Sequence, residues 1–137
     1  MSLTTLFAVV LLPVLLGLTG LVADGGEVLV ARREVQNLAE SAAHAGAAQL
    51  DTAVARASPD QPAPLNPRQA ELAAAQYIAI QEPGLSATVR ADTRQVVVHL
   101  TSRRIPMTFL RLAGIMELQV TADATAQPRT GVAGAQR

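Results

Sequence analysis

From Met1 to Ala23 the chain carries no charged residue, and Leu3, Leu6, Phe7, Val9, Val10, Leu11, Leu12, Val14, Leu15, Leu16, Leu18, Leu21 and Val22 point all round a helix. At about 1.5 Å per residue such a stretch spans about 30 Å, the thickness of a bilayer's hydrocarbon core. The pattern predicts a transmembrane helix over 1–23. Nothing basic precedes Leu3, and Leu21-Val22-Ala23 is a poor cleavage site, so a retained anchor is expected rather than a cleaved signal. Arg32 and Arg33 follow the segment and by themselves favour a cytoplasmic C-terminal side. Asp24, Glu27 and Glu34 offset them only in net charge, so charge alone leaves orientation open.

Past Asp24-Gly25-Gly26 the period stays helical. Val28, Ala31, Val35, Leu38, Ala42, Gly46, Ala53 and Ala57 form a stripe flanked by Ala39, Ala43, Leu50 and Val54, while Arg32, Arg33, Glu34, Gln36, Asn37, Glu40, Ser41, His44, Asp51 and Arg56 fill the other side. This predicts an amphipathic stalk helix over 24–57, continuous with the anchor if the glycines bend without breaking. Alanine dominates the stripe, and small residues let another helix or a sheet approach closely. Pro13 removes one backbone hydrogen bond inside the apolar stretch; a tolerated membrane proline and a functional kink are equally open. Asp24 reads as a hydrated residue at the helix boundary rather than a functional intramembrane carboxylate.

Ser58-Pro59-Asp60-Gln61-Pro62-Ala63-Pro64 stops the helix and predicts a Pro-rich linker over 58–66. Asn66 and Pro67 supply an N-cap and first helical residue. Ala70, Leu72, Ala73, Ala74, Tyr77, Ile78 and Ile80 give the next helix an apolar side that ends at Pro83-Gly84, so it should run from Pro67 to Gln81. The period then changes to two. Leu85, Ala87, Val89 and Ala91 alternate with polar residues, as do Val96, Val98 and Leu100, which predicts a hairpin turning at 92–95. Pro106 opens a short helical segment through Leu112 that Gly114 closes. Leu118, Val120, Ala122, Ala124 and Ala126 then alternate as a third strand, and the tail 128–137 has no periodicity and is expected to be disordered. A head over 67–127 buries too little surface to stand alone, so its sheet should be covered by the stalk through Val35, Leu38, Ala42 and Leu50. The fold class is α+β: an anchor, a stalk, and a head of one helix with a three-stranded antiparallel sheet.

Composition narrows the function. The 137 residues have zero net charge at pH 7, eleven basic residues that are all arginine, no Cys, no Trp and one Tyr. There is no basic surplus for nucleic acid, no thiolate site or disulfide, and few of the aromatics that line ligand pockets. His44 and His99 are placed apart on polar faces and make no metal set. Arg103-Arg104 reads as a solvated strand end rather than a lipid or partner contact. No serine, histidine and acid arrangement suggests nucleophilic catalysis, so no catalytic residue, metal, cofactor or small-molecule substrate is expected.

The run Leu12-Pro13-Val14-Leu15-Leu16-Gly17-Leu18, then Asp24-Gly25-Gly26, Ala31-Arg32-Arg33, Gln36-Asn37-Leu38-Ala39-Glu40 and Ala42-Ala43-His44-Ala45-Gly46-Ala47, resembles the TadE/TadG-like proteins of tight-adherence (Flp, type IVc) pilus systems. The resemblance implies a minor pilin or pseudopilin: single-pass in the cytoplasmic membrane, head outside, and a candidate for incorporation into a surface pilus. Its implied partners are the lipid bilayer, other TadE/TadG-like subunits or pilins, and the pilus assembly machinery. Met1-Ser2 is the whole leader, and Thr5 stands where processed pilins usually carry a glutamate, so processing by a prepilin peptidase is not expected and an initiation or tip role fits better than bulk polymer. The expected assembly interface is Pro13, Gly17, Ala39, Ala42, Ala43, Gly46 and Ala47, with Leu38 and Leu50 packing stalk on head. The rival is a solitary membrane-tethered binding or sensor module.

Overall fold

The computed structural model describes residues 2–58, 61, 63–102 and 104–128. Helix α1 (Leu3–Ala47) passes through Pro13 and through Gly25-Gly26 without a break, so anchor and lower stalk are one rod of 45 residues. At 1.5 Å per residue it is about 68 Å long. Ser2 caps its start by accepting from the Thr5 N–H.

The stalk helix predicted over 24–57 is corrected at its upper end. α1 stops at Ala47, and a separate helix α2 (Thr52–Ala57) follows. Asp51 is the cause, because its carboxylate accepts from the N–H groups of Ala53 and Val54 and so starts a new helix. The backbone between the two helices is committed elsewhere: Leu50 bridges Leu65, the Asp51 N–H donates to the Pro64 carbonyl, and the Asn66 N–H donates to the Gln49 carbonyl. The end of the predicted linker is therefore tied to the stalk, with Leu65 buried.

Helix α3 (Pro67–Gln81) opens on Asn66, whose side chain accepts from the Gln69 N–H, and occupies the span predicted for it. Strands β1 (Ser86–Ala91) and β2 (Val96–Thr101) form the hairpin. Next come β3 (Ile105–Pro106), a 3-10 turn (Leu110–Ala113), β4 (Glu117–Leu118) and β5 (Thr121–Ala126). The main sheet has the order β1-β2-β5, antiparallel throughout, and β3 pairs with β4 in a second, two-stranded sheet. Between β2 and β5 the chain thus makes an excursion over 102–120, an arm that leaves the main sheet and returns to it.

Two predictions about this arm are corrected. The third strand is interrupted, because the chain changes partner at Val120: its N–H donates to the Ser102 hydroxyl and its carbonyl accepts from the Ser102 N–H, which starts the ladder on β2. The helix expected from Pro106 to Leu112 shrinks to the 3-10 turn, with Pro106 in β3 and Gly114 closing the turn at φ 87°.

The core lies between one face of the main sheet and two helices. Register sets Val96 opposite Ala126, Val98 opposite Ala124 and Leu100 opposite Ala122, and all six are buried. Alanine on β5 leaves room for α1 to come close to the sheet, while the larger β2 side chains fill the space beside it. From the helices come Val35, Ala39, Ala42, Ala43 and Ala47 of α1 and Ala70, Ala74 and Ile78 of α3. Leu72 and Ile80, expected on the apolar side of α3, are exposed instead. They are offset from the buried row Ala70, Ala74, Ile78, which repeats every four residues and leaves them on the flanks.

Candidate functional site

Two stretches of α1 differ in what covers them. From Leu3 to Thr19 every residue is exposed, the leucines and valines included. Among the described residues one helix is long and apolar enough to cross a membrane, and it is this one. From Gly20 upward a single face is covered by the head. Gly20 and Asp24 are buried, Val28 and Ala31 half-buried, and Val35, Ala39, Ala42 and Gly46 buried, steps of three and four residues that trace one side of a helix.

Where the covered face begins, the head's arm clasps the helix. Asp24 is 2% exposed although it follows directly on the apolar stretch. Its Oδ2 accepts from the N–H groups of Phe109 at 2.8 Å and Leu110 at 2.7 Å, and its Oδ1 from the N–H of Thr108 at 3.3 Å. These three donors precede or begin the 3-10 turn and have no partner within it, so the carboxylate of a distant element serves as their cap. An ionised carboxylate accepts only, which matches a site made of donors. One turn below, Phe109 packs directly on Gly20: a Cβ built there would collide with the ring's Cγ and with Phe109 Cβ. The absence of a side chain at residue 20 is what admits the ring. Asp24 is thus neither a hydrated boundary residue nor a free carboxylate, and its sequence reading is corrected. The signal was available, since continuing the Val35, Ala31, Val28 stripe downward by steps of four reaches Asp24 and then Gly20.

The arm is closed on itself. The Met107 N–H donates to the Met116 carbonyl, the Ile115 N–H to the Leu110 carbonyl, and Arg104 pairs with Glu117 at 3.0 Å. Met107 points inward at 3% exposure, while Phe109, Ile115, Met116 and Leu118 stay exposed.

The expected interface residues divide. Pro13 and Gly17 lie one turn apart in the bare stretch, and among the described residues no other part of the chain comes within 4 Å of a Cβ built at Gly17. Ala39, Ala42, Ala43, Gly46 and Ala47 are instead buried under the chain's own head, which closes their surface to a second helix. Their smallness serves the contact with α3 and the sheet: a Cβ on Gly46 would meet the Ala70 carbonyl oxygen and the methyls of Val96. Of the two residues expected to pack stalk on head, Leu38 is half-buried against the core beside an open groove of about 520 Å3 that Tyr77 and Leu85 also line. Leu50 is 39% exposed and contributes its backbone bridge to Leu65, not cover for the sheet. The central line of the stripe runs through Ala39 and Ala43, one position away from the line through Leu38. Gln36 adds a polar tie, donating to Glu40 and to the Asp123 carbonyl of β5.

His44 is exposed, and His99, exposed on the outer face of β2, hydrogen-bonds through Nδ1 to the Asp123 carboxylate across the strands. Among the described residues no group of three or more His, Cys, Asp or Glu stands close enough to hold a metal. Arg103 and the tail from 129 onward lie outside the described residues, as do the expectations placed on them.

Residues 2–49 match the model of the Tad family, described as "Putative Flp pilus-assembly TadE/G-like". The match begins before α1 and ends two residues past it, so it covers anchor and stalk and leaves out α3 and both sheets. No curated protein and no solved structure matches the chain.

Proposed function

We propose that the chain is a membrane-anchored minor pilin or pseudopilin, a non-enzymatic initiation or tip subunit of a type IVc-like pilus or related secretion apparatus, with its head outside the cytoplasmic membrane. The observation that carries this reading is the division of α1: seventeen residues, Leu3 to Thr19, uncharged, mostly apolar and bare on every side, continue without a break into a stalk covered on one face only. A bare apolar helix requires lipid or other apolar helices around it. The family match over the same helix supports pilus assembly as the setting.

The alanine stripe no longer speaks for partners, because the head occupies it. Other surface does. Leu29 and Val30 lie past Asp24, beyond the apolar stretch, and are 61% and 56% exposed. Apolar side chains grouped on an aqueous stalk are suited to burial against a neighbour. Pro13 and Gly17 offer a second close approach within the bilayer, where small residues let helices meet.

The test is topological first. Carbonate washing should leave the chain in the membrane fraction, and protease added to intact cells should remove the head. Release by carbonate would overturn the anchor, and a protected head would overturn the orientation. Neighbouring genes should include a secretion ATPase.

A further inference from the structure

We infer that the arm around Phe109 is a second membrane contact, seated in the headgroup and upper acyl layer of the bilayer beside α1, with Asp24 fixing its depth. The inference deepens the anchored reading above and rests on it.

Depth is the first argument. Counting from Leu3 at about 1.5 Å per residue, the helix reaches about 30 Å, the far edge of a hydrocarbon core, near Val22. Phe109 lies on Gly20, below that level. Once α1 is inserted, the ring cannot be above the membrane surface, because it is packed on a part of the helix within it. The arm cannot slide upward either, since the Asp24 carboxylate holds the N–H groups of Thr108, Phe109 and Leu110 one turn higher.

Chemistry is the second. Phe109, Ile115, Met116 and Leu118 are 45%, 44%, 66% and 41% exposed on an arm whose backbone is tied together. Phe109 rests on Gly20, directly above the bare stretch that ends at Thr19, so the arm carries its apolar side chains at the top of the apolar helix. Arg104 is paired with Glu117, and Arg111 is exposed on the same arm, where a long arginine side chain reaches from such a depth to headgroup phosphates. An apolar wedge with a basic residue alongside is the composition of an interfacial contact. A second copy of the chain would cover the patch too, but it would not require the patch to sit at the depth where lipid begins.

The chain has no tryptophan, so one introduced residue reports alone. Phe109→Trp and Met116→Trp are made in the full chain and reconstituted into phosphatidylcholine vesicles whose acyl chains carry bromine either near the headgroup or near the methyl ends. Leu16→Trp serves as the anchor control and Ile80→Trp, on the exposed side of α3, as the head control. The expected result is loss of most of the emission at 109 and 116 with shallow bromine, less with deep bromine, strong deep quenching at 16 and none at 80. Quenching at 16 with none at 109 and 116 would overturn the inference while leaving the anchor standing. No quenching at 16 would overturn the anchored reading, and the inference with it. Blue-shifted but unquenched emission at 109 that grows with protein-to-lipid ratio would assign the arm to a second copy and overturn the lipid contact. Adding Asp24→Ala to Phe109→Trp should weaken shallow quenching at 109 while Leu16→Trp stays unchanged; unaltered quenching would overturn the depth-setting role of Asp24.

Discussion

Gly46 and Ala70 bring α1 and α3 into close contact: a Cβ on Gly46 would stand 2.9 Å from the Ala70 carbonyl oxygen, a backbone atom that cannot rotate away. Gly46→Ala should therefore destabilise the head by about 1–3 kcal/mol, the usual range for overpacking. Gly17, Gly25 and Gly26 have open space around them on the same helix. There the same substitution should stabilise, by up to about 1 kcal/mol of helix propensity. Thermal melts of the purified chain in detergent read both signs, and a stabilising Gly46→Ala would show that the two helices are not this close.

Asp24 ties the arm to the helix through three N–H donors, so replacing it should free those amides before anything else. In Asp24→Ala, hydrogen exchange at Thr108, Phe109 and Leu110 should rise while β2 and β5 remain protected. Asp24→Asn keeps an oxygen acceptor without the charge and should fall between the two. Uniform loss of protection across the main sheet would mean that the carboxylate supports the whole head and not the arm alone.

The sequence pattern reveals the elements governed by period and caps, and misses those governed by side chains far apart in the chain. Asn66-Pro67 and the spacing behind them define α3 without help from elsewhere, and alternation defines β1 and β2. Asp51 is different. Its position on a helical face suggests continuation, yet its carboxylate caps α2 and the adjoining backbone pairs with 64–66, contacts invisible in a local window. The same holds for the arm, where Pro106 reads locally as the start of a helix but the donors that would begin it belong to Asp24. Within the candidate site, the bare anchor with Pro13 and Gly17 was legible from composition. Cover of the sheet by Val35 and Ala42 was legible as well. That the head leaves none of the alanine stripe to a partner was not, because small residues announce a close approach without saying whether the approaching surface belongs to the same chain.

Dependence of the head on its stalk follows from the shared core. A chain beginning at Asn66 loses Val35, Ala39, Ala42, Ala43 and Ala47, which cover Val96, Val98 and Leu100, and should be molten or aggregated. One beginning at Glu27 keeps that cover but lacks Asp24, so its main sheet should be protected and its arm loose. In the full chain, Leu100→Ala should cost about 2–5 kcal/mol as a fully buried leucine. Leu38→Asp should cost less, because Leu38 is only partly covered beside an open groove. Equal melting temperatures for the two shortened chains would reduce the stalk to a spacer.

The hairpin turn carries an acid-sensitive tie. Asp92 Oδ1 accepts from the Arg94 N–H at 2.6 Å and the Gln95 N–H at 2.8 Å. The Arg94 N–H foremost, then that of Gln95, with some help from the Arg94 charge and against the cost of desolvation, hold its carboxyl below the usual carboxylate value. A lowered value means that the folded state favours the ionised form. The contribution is fully present above the unfolded value of roughly 4 and is lost as pH falls through the lower folded value. Amide exchange at Arg94 and Gln95, corrected for intrinsic rate, should quicken on acidification in the native chain. It should be flatter in Asp92→Asn. The same acid response in both would place its origin elsewhere.

Partner contacts should now be sought on the uncovered face of α1 rather than on its alanines. A photocrosslinker at Ala43, buried under the head, should yield mainly intramolecular adducts to α3 or the sheet, whereas one at Leu29 should capture other small single-span proteins in cells. Leu29→Asp and Val30→Asp together put charge on that face without touching the core, so the purified chain should melt at the native temperature while its adducts and assembly are lost. Gly17→Leu should act similarly within the bilayer, because bulk at a small residue holds helices apart. Glu40, exposed on the stalk, is the control position and should capture little. Adducts confined to lipid and to the chain's own head at every position would leave a solitary tethered module as the better account of this fold.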